Sequence, residues 1–279
     1  MDNFNFNIHI AENPNNKKYK WDDINFKVQK LFSYPHIEQM SKSWHDMKLL
    51  QTFVSASIIG AIVEPECHPY TSSEKLFLQK TNQCPPDLMN AAMLHGILNE
   101  EKAAFAYAQE KNEILFKFGL IVSNENKYIG VSPDRITISG KNVEIKTPYY
   151  DKVKNNETID LLLTKLKYYW HQIQMQCFVT GLDKTDFVRY DNRHHNENTV
   201  LSIIEVPTDP TWWPTYKDKI MSFIDRVLKY RNDIPQWDKK IWHENIENER
   251  ILKKALESNT NILNKKRTYN LLSDECPFQ

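Results

Sequence analysis

The chain has 279 residues, 41% of them hydrophobic, which suits one large globular domain with a sizeable core. Its 36 basic and 36 acidic residues cancel, which excludes a strongly basic protein that coats nucleic acid and leaves room for a locally basic groove. Only six glycines occur, with neither a P-loop nor a dinucleotide fingerprint, so a glycine-rich nucleotide-binding fold is excluded too.

Residues 1–25 are polar and rich in asparagine, and read as a loose arm with one short strand; the arm is taken to residue 35. The opening stretch MDNFNFNIHI lacks the basic and apolar regions of a signal peptide. Residues 36–66 read as helices, with Ser55 and Ser57 placed to cap an apolar run. A strong helix is predicted over 87–111, its apolar side traced by Leu88, Ala91, Ala92, Leu98 and Phe105. The period then changes. EILFKFGLIVS, KYIGVSPDRITIS and NVEIKTPYY are three β-prone runs parted by the turn signals NEN and SGKN, and predict an antiparallel meander. A long helix is expected over 158–180, stopped by Gly181. Two strands, TDFVRYD and VLSIIEV, follow, then a helix over 211–231 and a charged helix over 238–257. The division is an arm (1–35), one α/β domain (36–235), and a C-terminal helix with tail (236–279).

The chemistry gathers in YIGVSPDRITISGKNVEIKTPYY. Residues two apart on a strand share a face, so Glu144 and Lys146 point one way and Val143, Ile145 and Thr147 the other. A hairpin turning near 139–142 brings Asp134 beside Glu144, and Pro133 starts or bulges the strand there. Two carboxylates and an ammonium at a strand-end cleft suit a hard divalent cation, a water made more acidic by it, and a phosphodiester substrate. The spacing D-x(9)-E-x-K is common by chance, and a Glu–Lys pair on one strand face is usually solvated. The surrounding segments weigh against that bland reading.

GVSPDR followed by VEIKTP resembles the core of the PD-(D/E)xK nucleases, and more narrowly the phage lambda exonuclease family, also called YqaJ-type viral recombinases, with relatives among viral alkaline nucleases. HGILNEEKAAFAY is similar to that family's G-x-x-x-E-x-x-A helix, with Gly96, Glu100 and Ala103 at its marks. YYWHQIQMQCFVTG is similar to its Y-x-x-Q-x-Q helix, with Gln172 and Gln174. FVRYDNR and SWHDMKLLQTFVSAS fit a following strand and the N-terminal segment.

The resemblance implies a restriction-endonuclease-like α/β core, a central mixed sheet flanked by helices. It implies a Mg²⁺-dependent exonuclease (Mn²⁺ also serving) that degrades the 5′ strand of linear double-stranded DNA. It implies a strand-annealing protein as partner, a ring-shaped homotrimer, and viral or phage origin; no membrane is expected, because no apolar run reaches the length of a membrane span. Glu100, Asp134, Glu144 and the Ile145 carbonyl would hold metal, Lys146 would activate water, and Gln172 would steady the site. Ser55 and Ser57 would receive the 5′-phosphate, with Lys48 as the basic anchor four residues after Trp44. Arg135, Tyr169 and Gln174 are expected at the DNA. Two positions depart from the family: Arg135 stands where many relatives have Gly, and Thr147 where they have Cys.

An endonuclease on the same core and a non-catalytic DNA-binding relative are the competing readings. The intact Asp134, Glu144 and Lys146 count against the second. Cys67, Cys84, Cys177 and Cys276 form no C-x-x-C pair, which argues against a disulfide framework and points to an intracellular, reducing compartment. Cys67-His68 and His194-His195 have no partner at metal spacing and read as surface or core residues.

Overall fold

The computed structural model describes residues 10–34, 37, 43, 47, 54–193 and 199–232. Lys48 and Trp44, His194-His195, Cys276 and the charged helix expected over 238–257 lie outside the described residues.

In chain order the described elements begin with β1 (Ile10–Glu12), α1 (Phe26–Leu31), β2 (Val54–Ser55), α2 (Ile59–Val63), α3 (Ser73–Lys80) and α4 (Ala91–Lys111). Then come β3 (Leu115–Phe116), β4 (Ile121–Val122), β5 (Ile129–Val131), β6 (Arg135–Thr137) and β7 (Asn142–Lys146). The last are α5 (Ile159–Thr164), α6 (Lys167–Thr180), β8 (Lys184–Asp191), β9 (Val200–Pro207) and α7 (Trp212–Tyr230). Three short 3₁₀ turns punctuate them.

Six strands make a central mixed sheet in the order β1-β3-β6-β7-β8-β9. Within it, only β7 and β8 run parallel. A parallel pair needs a long crossover, and α5 with α6 supplies it. Helices cover both faces. Val143 and Ile145 of β7 pack with Ala103, Ala104, Tyr107 and Ala108 of α4. On the other face, Ile173 and Cys177 of α6 and Leu162 of α5 pack with Phe187, Ile204 and Val206.

The β-prone runs do not form one meander. The first divides into β3 and β4 and the second into β5 and β6. β4 and β5 leave the central sheet and join β2 in a second sheet of order β2-β5-β4, with β2 parallel to β5. Pro133 lacks the N–H a ladder needs, and the chain changes sheet across residues 132–134, between the end of β5 and the start of β6. The β6–β7 hairpin forms as expected, through Gly140 at φ +97. A side chain there would be strained and would meet Asn25 at 2.6 Å.

Four other expectations shift. Residues 24–32 are no loose arm, because Ile24, Val28, Leu31 and Phe32 are buried in the main core and β1 extends the central sheet. α4 starts at Ala91 because the Asn90 side chain accepts from the Met93 N–H at 2.9 Å. Its buried stripe runs through Leu94, Ala103, Ala104 and Tyr107, leaving Leu88 and Phe105 exposed. The helix expected over 158–180 breaks at Leu166, whose ψ of 35 departs from helical geometry. Gly181 does stop α6, at φ +71 with its N–H on the Cys177 carbonyl. Ser55 holds the N-cap position of a 3₁₀ turn, but no side-chain cap bond forms; its hydroxyl lies 3.2 Å from that of Ser57.

Candidate active site

The polar face of β7 lies against α6. Asn142 donates to Thr180 Oγ1 at 3.2 Å. Glu144 accepts from Gln176 Nε2 on one oxygen and from Gln172 Nε2 on the other, both at 2.6 Å. Lys146 bonds Glu144 and sits 4.9 Å over the Tyr169 ring. Strand residues two apart advance about 6.6 Å and helix residues four apart about 6 Å. A strand read at every second residue and a helix read at roughly every fourth therefore stay in step. This ladder explains how Glu144, 1% exposed, survives as a buried acid on the polar face of the strand.

Asp134 precedes β6 and falls opposite the far end of β7. Its Oδ2 accepts the Ile145 N–H at 2.7 Å, which leaves Oδ1 for a ligand. Glu100 comes from α4, while its neighbour Glu101 is exposed. Arg135 Nη1 donates to Glu100 Oε1 at 2.9 Å, and Arg135 Nε reaches both oxygens of Glu12 in β1 at 2.8–2.9 Å. Lys117 lies 3.8 Å from Glu100 on the solvent side.

Burial, with the charges of Glu144 and Glu100, pushes the Asp134 carboxyl well above the usual carboxylate range. For Lys146, burial pulls down, but Glu144 and Asp134 outweigh it and raise the ammonium, so it stays charged. Glu12, Glu100, Asp134 and Glu144 are four carboxylates against two cations, Arg135 and Lys146, with Lys117 offsetting part of the excess at the rim. An all-oxygen donor set with surplus negative charge fits a hard divalent cation.

Among the described residues one group of His, Cys, Asp or Glu side chains has ligand atoms that all lie within 4.8 Å of one another: Glu64, Cys67 and His171. The three acids at 100, 134 and 144 are thus more widely spaced, with Glu100 drawn to Arg135 and Glu144 to the glutamines. The Glu64 group is a poor metal centre for a chemical reason. Trp212 Nε1 donates to His171 Nδ1 at 3.0 Å, and an indole can only donate. Neutral His171 therefore carries its proton on Nε2, which faces Glu64 at 3.5 Å and has no lone pair for a metal. Burial lowers His171 to about 4 and raises the Cys67 thiol to about 11, where it resists becoming a thiolate ligand. Glu64 is held at about 2: burial opposes, but Lys167 and Tyr216 bonding wins.

Other expected site residues lie as follows. Arg135 is 1% exposed and spoken for by Glu12 and Glu100, so it is no DNA contact; burial is the correction. Gln174 faces away from the acids, donating to the Pro207 carbonyl and accepting from the Asp209 N–H, which ties β9 to the turn before α7. Ser55 and Ser57 bond each other, and Ser55 pairs with Gly130 in the second sheet. Tyr169 flanks Lys146. Two residues escape the sequence reading. Gln176 is legible as one turn beyond Gln172, at the spacing that shares a helix face. Glu12 gives no signal, being 123 positions from its partner.

A model of the YqaJ-like viral recombinase domain matches residues 43–183, half of the chain. The chain is 26% identical over 176 residues to uncharacterized protein R354 of Acanthamoeba polyphaga mimivirus, across 59% of this chain; it spans 31% of that relative's length. Among solved structures, the alkaline exonuclease LHK-Exo from Laribacter hongkongensis is similar at a TM-score of 0.51, and LHK-Exo in complex with dAMP at 0.52. Both are 22% identical and cover 68% of this chain and 93% of theirs. That likeness speaks to the fold. With the family model covering the α4 acid, the β6–β7 hairpin and the α6 glutamines, the chain belongs to the YqaJ-like viral recombinase domain family.

Proposed function

We propose that this protein is a metal-dependent deoxyribonuclease, a 5′-to-3′ exonuclease on linear double-stranded DNA. One observation carries the reading: Asp134, Glu144 and Lys146 meet at one end of β7, and the charge of Glu100 reaches Asp134. Asp134, Glu144, Glu100 and the Ile145 carbonyl are the groups that would hold Mg²⁺ or Mn²⁺. The cation supplies Lewis acidity and a more acidic water when bound.

The chain's own groups do the rest. Gln172 and Gln176 fix both oxygens of Glu144, so its charge points in one direction. The Ile145 N–H pins Asp134 Oδ2 and leaves Oδ1 to hold the cation. Lys146, kept protonated, orients the attacking water and offsets negative charge building on the phosphate. Arg135 holds Glu100 in place from beneath. A strand-annealing partner and a ring trimer belong to the same proposal.

The test is a time course with Mg²⁺ on linear duplex bearing or lacking a 5′-phosphate, beside a closed circle. The proposal expects the labelled 5′ strand to shorten and the circle to stay intact. Cutting of the circle would favour an endonuclease, and uncut linear duplex would refute the nuclease assignment.

A further inference from the structure

A row of aromatic rings leads away from Lys146, and only its first member, Tyr169, touches the candidate site. The Tyr169 ring lies 4.9 Å from Lys146 Nζ. Tyr168 is next, its centroid 4.0 Å from that of Tyr169. Tyr168 meets Tyr70 edge-on at 5.7 Å and His68 at 5.5 Å, and His68 meets Tyr70 at 6.1 Å. The base of the row is rigid. Tyr168 is buried and packs on Gly60, where an added Cβ would come within 3.1 Å of the Tyr168 Cβ. The Thr71 N–H donates to His68 Nδ1 at 3.3 Å, leaving His68 Nε2 to donate to the Ser57 carbonyl at 3.4 Å. The outer end is open: Tyr70 is 70% exposed, with its hydroxyl 3.5 Å from that of Tyr168.

We propose that Tyr70, braced by Tyr168 and His68, is a stacking platform for the unpaired base of a DNA end whose phosphate lies at Lys146. The inference rests on the nuclease reading for the position of that phosphate. Inside a duplex both faces of each base are covered by neighbouring pairs. Only an end, or a nucleotide peeled from its partner, has a face to offer a ring. Stacking is also indifferent to base identity, because every base has a π-face. A platform joined to the catalytic ammonium through two tyrosines would select ends without selecting sequence. It would also retain the frayed nucleotide while its phosphodiester is attacked.

The probe is a linear duplex carrying 2-aminopurine as its 5′-terminal base, bound to the full chain in Ca²⁺ and then cleaved in Mg²⁺. The wild-type protein and Tyr70→Phe quench the probe; Tyr70→Ala and Tyr70→Leu lose the quenching. Both latter variants raise KM about tenfold with kcat little changed, as loss of one base–aromatic stack requires. A platform role is overturned if Tyr70→Ala quenches and cleaves like wild type, or if Tyr70→Phe fails as badly as Tyr70→Ala, which would mean the hydroxyl bond alone matters. Thermal melting of each variant guards against misfolding. Quenching that depends on Tyr70 without any cleavage would uphold the platform and sink the nuclease reading. No quenching by the wild type would sink the platform.

Discussion

Arg135 donates from Nη1 to Glu100 at 2.9 Å while its Nε grips Glu12, so one buried guanidinium ties an acid of α4 to the edge strand β1. Removing it strands Glu12, 7% exposed, as an unpaired buried charge. Arg135→Met should lower unfolding free energy by about 3–5 kcal/mol. Urea titration checks this. A loss under about 1 kcal/mol would show that Glu12 finds water or a proton at little cost.

Asp134 predicts a trade of stability against activity. Its folded pKa is raised, so the folded state holds this proton more tightly than the unfolded one. As pH climbs from below the ordinary carboxylate value through that raised value, the metal-free protein loses stability. Asp134→Asn keeps an acceptor for the Ile145 N–H and carries no charge. At pH 7 without metal it should melt about 2–4 °C higher than wild type, for roughly 1 kcal/mol. The gap should close at acid pH. Added Mg²⁺ should raise the melting point of the wild type and leave the variant unmoved. Equal response of both to Mg²⁺ would remove Asp134 from the metal set.

Gln176 and Gln174 separate two roles on one helix. Gln176→Ala frees one oxygen of Glu144, and kcat should drop about 10- to 100-fold, as for other groups that orient a ligand. Gln174→Ala loses only its bonds to Pro207 and Asp209, so stability should fall while kcat holds. Steady-state kinetics beside thermal melts would expose a reversed pattern.

The hairpin that carries Asp134, Glu144 and Lys146 was legible because its signals are local. Alternation sets Glu144 and Lys146 on one face, SGKN turns the chain, and Pro133 breaks the ladder just before Asp134. The split of two β runs between two sheets was not legible. Strands of two or three residues, such as β3 and β4, are too short to show a period, and tertiary pairing decides them. The break at Leu166 lacks any glycine or proline to announce it. Arg135 shows the sharpest limit. A cation next to a candidate metal-binding acid reads as a phosphate contact, and only the arrival of Glu12 from a distant edge strand makes it a buried brace.

The Glu64–Cys67–His171 group should stay inert toward zinc. With His171 protonated on Nε2 by the Trp212 bond, calorimetric Zn²⁺ titration of Cys67→Ala should match that of the wild type. A tight site lost in Cys67→Ala would mean that Trp212 yields its bond and frees the ring.

The most direct measurement is nucleotide release from linear duplex DNA in Mg²⁺ by the wild type and by Lys146→Ala, with Mg²⁺ binding followed in parallel. The expected result is rapid release by the wild type and a loss of about 10²- to 10⁴-fold in the variant, which still binds the cation. Equal rates for the two proteins, or no release by either, would contradict a nuclease built around the end of β7.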